Sequence, residues 1–145
     1  MWDNLLRRGW KGPNLCTACF SDGESTQHLF VNCSFVKEVR NYCANSLNIS
    51  LHWGFDFVGE NLENWDKLLV NFKELFVFVC WGVWKARSST IFEGITQSPQ
   101  VTGLKLLGFY QEYFVKPKAF KSRKIVGPLL YFTLLIKKAY PIYKF

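Results

Sequence analysis

Residues 16–33 read CTACFSDGESTQHLFVNC and contain three of the five cysteines of the chain and one of its two histidines. These ligand-type side chains follow the spacing C-x2-C-x8-H-x4-C, at Cys16, Cys19, His28 and Cys33. A Cys-x-x-Cys turn presents two thiolates to one ion, and a His/Cys pair from the next segment completes the tetrahedron that structural Zn²⁺ prefers. Because all four ligands come from the protein, no coordination position is left for a catalytic water. The spacing therefore predicts one structural zinc ion.

The same cysteines allow other interpretations. A redox pair at Cys16 and Cys19 requires a thioredoxin-like βαβ context, and the surrounding sequence shows no such pattern. A disulfide framework belongs to secreted chains, but the five cysteines are an odd number and no apolar signal stretch follows Met1. Buried cysteines without a metal also stay open as an alternative. Cys43 and Cys80 lie in apolar helical patterns, where a free cysteine behaves as a small hydrophobic residue.

Five short runs in a fixed order carry a family resemblance: DNLLRRGW, CTAC, ESTQHLF, NCSF and WGVWKARSSTIFEG, between residues 3 and 94. Together they resemble the zinc-binding region that follows the polymerase in plant LINE-like (non-LTR) retrotransposon reverse transcriptases. The resemblance implies that the four residues of the spacing are the zinc ligands, and that Trp84 to Arg87 lie in a helix after the metal module. Arg40 departs from the family pattern, which commonly has a tryptophan there.

The apolar periodicity predicts a mainly α fold. We expect a short helix over residues 3–8, capped by Asp3 with Leu5 and Leu6 facing inward. A helix carrying His28 should break near Asn32, because two ligands five residues apart would lie about 140° apart on one α-helix. The next helix, about 35–47, should start with Ser34 as its cap. Its apolar face is Phe35, Val36, Val39, Tyr42, Cys43 and Leu47, and its solvated face is Lys37, Glu38, Arg40 and Asn41.

A longer amphipathic pattern runs from about residue 62 to 91, with a kink expected near Gly82 or a break near Phe72. Before it, residues 48–60 suit a loop or a short strand equally well. In this pattern we expect Trp81 and Trp84 to pack in the core rather than to stack on bases. Lys85 and Arg87 are typical of an ordinary helix exit.

The positive charge is concentrated in the last third of the chain. Residues 1–99 hold nine Lys/Arg against ten Asp/Glu, whereas residues 100–145 hold nine against one. After Ser98-Pro99, Val101, Leu104, Leu107 and the aromatics up to Phe114 predict one more helix. Residues 116–124 then read KPKAFKSRK and suit an exposed linker that contacts phosphates. Its cations are Lys116, Lys118, Lys121, Arg123 and Lys124.

Several motifs of enzymes are missing from the sequence. It has no adjacent aspartate pair for two Mg²⁺ ions, no P-loop or dinucleotide-binding glycine pattern, and no nucleophile with a paired histidine. No apolar run is long enough to span a bilayer. We therefore predict a non-catalytic, zinc-stapled helical module that is intracellular, with a nuclear location left open, and that has neither membrane nor small-molecule partner.

The predicted organisation is a zinc-binding helical domain over 1–97, with its metal module at 10–47 and its helical part at 62–94, followed by a basic tail over 98–145. The resemblance implies polymerase and ribonuclease H-like domains as neighbours in a parent polyprotein. Two functions stay open. The module contacts RNA or DNA weakly and without sequence preference, or it only positions neighbouring domains and needs zinc for folding.

Overall fold

The computed structural model describes residues 2–12, 14–49 and 73–112, and these are mostly helical, as predicted. The α-helices of the described residues are α1 (Trp2–Arg7), α2 (Ser34–Leu47), α3 (Lys73–Glu93) and α4 (Pro99–Tyr110). A π-helical turn, His28–Asn32, precedes α2. Within the described ranges there is no strand, and the extended pairing is limited to one bridge between Leu15 and Gly23. None of the described helices is long and apolar enough to cross a membrane.

Helix α1 ends at Arg7, one residue before the predicted end. The amides of Gly9 and Trp10 donate to the carbonyls of Leu6 and Leu5, and Gly9 has a φ of 81°, which glycine adopts without a steric penalty. Leu5 and Leu6 are exposed, so the prediction that they face inward was wrong. The helix begins at Trp2, which places Asp3 inside the first turn rather than at the cap.

Helix α2 carries the predicted apolar face, with Phe35, Val36, Val39 and Cys43 buried. Its N-cap is Cys33 rather than Ser34, which is already the first helical residue. The prediction that Arg40 lies on a solvated face was wrong, because this residue is half-buried and its Nη2 lies 3.5 Å from the carbonyl oxygen of Val31. Burial lowers the pKa of Arg40 to about 10, so the guanidinium keeps its charge at neutral pH.

Helix α3 runs without interruption across Gly82, where the sequence suggested a kink. A Cβ at Gly82 would lie 2.7 Å from Cδ1 of Leu106, so the missing side chain lets α4 approach α3 closely. The other suggestion, a break near Phe72, lies outside the described residues. Residues 50–72 and 113–145 also lie outside the described residues. The first of these ranges holds most of the predicted loop or strand.

Helix α4 forms as predicted after Ser98, whose hydroxyl caps it by accepting from the amide of Val101 at 3.2 Å. It packs against both α2 and α3. Its buried face differs from the expected one, because Val101 and Leu104 are exposed. The residues that face the core are Thr102, Gly103, Leu106, Leu107 and Tyr110.

Aromatic rings fill the space between α3 and α4. The ring of Phe78 meets those of Trp81 and Tyr110 edge-on, with centroids 6.2 and 5.8 Å apart, and Trp81 meets Phe109 at 5.6 Å. Edge-to-face pairs of this kind each contribute about 0.5–1.5 kcal/mol beyond their buried area. Trp81 is buried, which confirms its predicted role in the core.

Candidate metal centre

Backbone hydrogen bonds close the loop that carries the first two ligand-type cysteines. The amide of Cys16 donates to the carbonyl of Asp22 at 2.8 Å, and the amide of Phe20 donates to the carbonyl of Cys16 at 2.9 Å. At the base of the loop, the bridge between Leu15 and Gly23 joins its two arms. The Cys-x-x-Cys turn is therefore held by its own backbone.

The π-helical turn positions the other two ligand-type residues, His28 and Cys33, which are five residues apart. The amide of Cys33 donates to the carbonyl of His28 at 2.8 Å, a bond across five residues that a normal α-turn does not make. Ser25 starts this turn, because its hydroxyl accepts from the amide of His28 at 2.9 Å. The turn ends at Asn32, where the sequence predicted a break, and Cys33 then adopts an extended conformation.

The structure brings together all four predicted side chains of the C-x2-C-x8-H-x4-C spacing. The Sγ atoms of Cys16, Cys19 and Cys33 and a ring nitrogen of His28 lie within 4.8 Å of one another. Sγ of Cys16 is 3.9 Å from Sγ of Cys33, and Sγ of Cys19 is 3.2 Å from Nε2 of His28. With Zn–S bonds of ~2.3 Å, a tetrahedral site separates its sulfur atoms by ~3.8 Å. The donor set and its spacing therefore fit zinc.

The surroundings of the cluster support metal binding through His28. Its Nε2 faces the cysteine sulfurs, while its Nδ1 lies 3.9 Å from an Oδ2 of the exposed Asp22. At this distance the carboxylate does not accept a hydrogen bond from Nδ1. Because Nε2 faces the sulfurs, it is the ring nitrogen placed to bind a metal.

The two most buried thiols of the cluster, Cys16 and Cys33, form a hydrogen-bonded pair. This bond lowers the pKa of Cys16 and raises the pKa of Cys33. Metal binding would release the protons that these thiols hold. Cys43 and Cys80 lie apart from this cluster, and burial raises the pKa of each to about 12. All five cysteines are free, and Cys43 and Cys80 pack in the core as predicted.

A buried ion pair joins the loop of residues 15–24, here called the metal loop, to α3. Nε and Nη2 of Arg87 donate to the two carboxylate oxygens of Glu24, at 2.7 and 2.5 Å. Glu24 is only 5% exposed, so this loop contains a buried acid. Arg87 was predicted to be an ordinary charge near a helix C-terminus, but it forms this ion pair. The two residues are 63 positions apart, and no local pattern relates them; the sequence shows them only as members of two runs of the family resemblance.

Comparison with known families gives one finding. Residues 1–39 match the model of a family described as zinc-binding in reverse transcriptase. The match contains all four clustered residues and ends within α2, so Arg87 and helices α3 and α4 lie beyond it. No curated protein matches the chain, and neither does any solved structure. Lys116 and the other cations of the basic segment lie outside the described residues.

Proposed function

We propose that this chain is a non-catalytic accessory module of a reverse transcriptase polyprotein, folded around one structural zinc ion. The convergence of Cys16, Cys19, His28 and Cys33 carries the proposal, and the family match over residues 1–39 supports it. We assign the parent element to the plant LINE-like (non-LTR) class on the ordered runs in the sequence. The neighbouring domains would be a polymerase and a ribonuclease H-like domain, working inside the cell and in the nucleus.

Zinc would supply only structural cross-linking in this module. Four protein ligands saturate a tetrahedral ion, so it offers no site for substrate or water. Cys16 and Cys33 are fully buried, which shields the ion from solvent. Because Cys33 is also the N-cap of α2, the ion would fix the start of the helix that packs on α4.

The second part of the proposal is weak, sequence-independent contact with RNA or DNA. The basic segment, residues 116–124, supplies five cations and no acid, and cations that neutralise phosphates release counterions. The alternative, a module that only positions neighbouring domains, draws support from the near-balanced charge of residues 1–99. The two alternatives differ in whether the chain binds nucleic acid with an affinity that depends on salt.

The experiment is a salt titration of the full, zinc-loaded chain with a labelled single-stranded RNA. Changing all five cations of residues 116–124 to Gln should flatten the slope of log K against log salt by roughly 0.7 for each phosphate that is no longer neutralised. Cys19→Ser, which removes a zinc ligand, should leave most of that slope. A slope that tracks the zinc site and ignores the basic segment would contradict this part of the proposal. No binding at low salt would favour the domain-positioning alternative.

A further inference from the structure

Three large apolar side chains around the metal loop point into solvent. Phe20, directly after Cys19, is 62% exposed, Trp10 is 56% exposed and Leu15 is 51% exposed. The indole of Trp10 folds back over the Gly12 backbone, where a Cβ would meet its Nε1 at 2.6 Å, and still keeps half its surface open. Exposed apolar side chains clustered in one short segment mark an interaction site.

Phe20 is exposed in a conformation that is itself unfavourable. Its φ is 55°, in the left-handed region where a Cβ approaches the following carbonyl and where glycine or asparagine is the usual residue. Phe20 nevertheless stays 62% exposed, so little burial of the ring offsets this cost. Residues held in this region cluster at ligand-binding and active sites, where the strain serves the function. The backbone therefore orients an aromatic ring toward solvent at a free-energy cost.

The charges around this loop favour an anionic partner. Arg8 and Lys11 lie between α1 and the metal loop, and both are exposed. Of the two acids in the loop, Glu24 is neutralised by Arg87, so the exposed charges between residues 8 and 22 are Arg8, Lys11 and Asp22. Along the sequence, the exposed Trp10 lies between the cations Arg8 and Lys11. Exposed aromatics together with cations are the combination that binds single-stranded nucleic acid through stacking and phosphate contacts.

We propose that Phe20 and Trp10 form a stacking platform for unpaired bases, with Arg8 and Lys11 beside the adjacent phosphates. This inference rests on the proposed nucleic-acid contact. Phe20 of the metal loop, together with Trp10, would supply the base stacking, and the basic segment would supply most of the salt-dependent affinity. The ligand is single-stranded, because only unpaired bases expose a face to an aromatic side chain, and either RNA or DNA presents such a face.

The test compares binding of a labelled dT12 oligonucleotide and of a matched duplex to the full, zinc-loaded chain. Phe20→Ala and Trp10→Ala should each weaken dT12 binding by roughly 5- to 100-fold, the range that corresponds to one base that no longer stacks. The salt slope should stay unchanged, because no phosphate contact is removed. Phe92→Ala is the matched control, since Phe92 is 80% exposed at the end of α3, and it should bind as the unchanged chain does.

Phe20→Gly separates stacking from folding. Glycine accepts the positive φ, so this variant should keep its zinc and its melting temperature while losing as much affinity for dT12 as Phe20→Ala. Unchanged dT12 binding in Phe20→Gly and Trp10→Ala would overturn the platform while leaving the proposed function standing. If the full chain binds neither dT12 nor an rU12 oligonucleotide, the platform and the proposed nucleic-acid contact both fail. Equal loss in Phe92→Ala would also overturn the platform, because it would show a nonspecific effect of exposed aromatics.

Discussion

Among single residues, the Glu24–Arg87 pair joins parts of the chain that are 63 positions apart. Two donors of one guanidinium meet two oxygens of one carboxylate, a geometry that lysine cannot reproduce. Both side chains are mostly buried, at 5% and 15% exposure, so solvent screens the pair little. Removing one partner leaves a buried charge without its counter-ion, which is the costly step.

We predict that Glu24→Gln lowers the free energy of unfolding by about 3 kcal/mol, as breaking a buried pair does. Arg87→Met should cost a similar amount. The double variant should recover part of the loss, because a neutral pair of similar volume leaves no uncompensated charge. Urea unfolding of the zinc-loaded chain gives the coupling energy, with Asp22→Asn in the same loop as an exposed control. Additive single effects would show that the two residues do not interact.

At the scale of elements, local rules predicted more than long-range contacts did. Patterns within a few residues predicted three features that the structure contains. They are the convergence of the Cys-x-x-Cys pair, the apolar face of α2 and the core position of Trp81. The π-helical turn was not foreseen, because the sequence signals only that a break is needed. The exposure of Val101 and Leu104 depends on how α4 meets α2 and α3, which periodicity within α4 does not encode.

Two glycines in α4 give a matched test of that packing. A Cβ at Gly103 would lie 2.6 Å from Cδ1 of the Tyr42 ring, whereas a Cβ at Gly108 would meet nothing within 4 Å. Gly108→Ala should therefore stabilise the chain by about 0.5–1 kcal/mol through helix propensity. Gly103→Ala should instead destabilise it by about 1–2 kcal/mol, because overpacking outweighs the same gain. Thermal melts of the two variants decide the point, and equal stabilisation by both would refute the close α2–α4 approach.

At the scale of the whole molecule, the metal cluster and the helical core are built from the same residues. Leu29 and Phe30 of the π-helical turn are buried in the core, and the turn packs on both α2 and α3. Cys33 completes the cluster and is the N-cap of α2. Glu24 ties the loop to α3. A disrupted cluster would therefore disturb the packing of every helix that builds the core.

We expect zinc removal to unfold residues 10–47 at least, and to weaken the packing of α2 against α4. Structural zinc contributes an apparent ~10–16 kcal/mol in small finger peptides. That is comparable with the ~5–15 kcal/mol by which whole domains are stable. A strong chelator, or Cys19→Ser, should therefore abolish the cooperative melt followed by helical circular dichroism. Cys43→Ala removes a buried thiol that lies outside the cluster, so it should keep one zinc per chain and a chelator-sensitive melt. A melting curve that is indifferent to the chelator would show that the helical core stands without the metal.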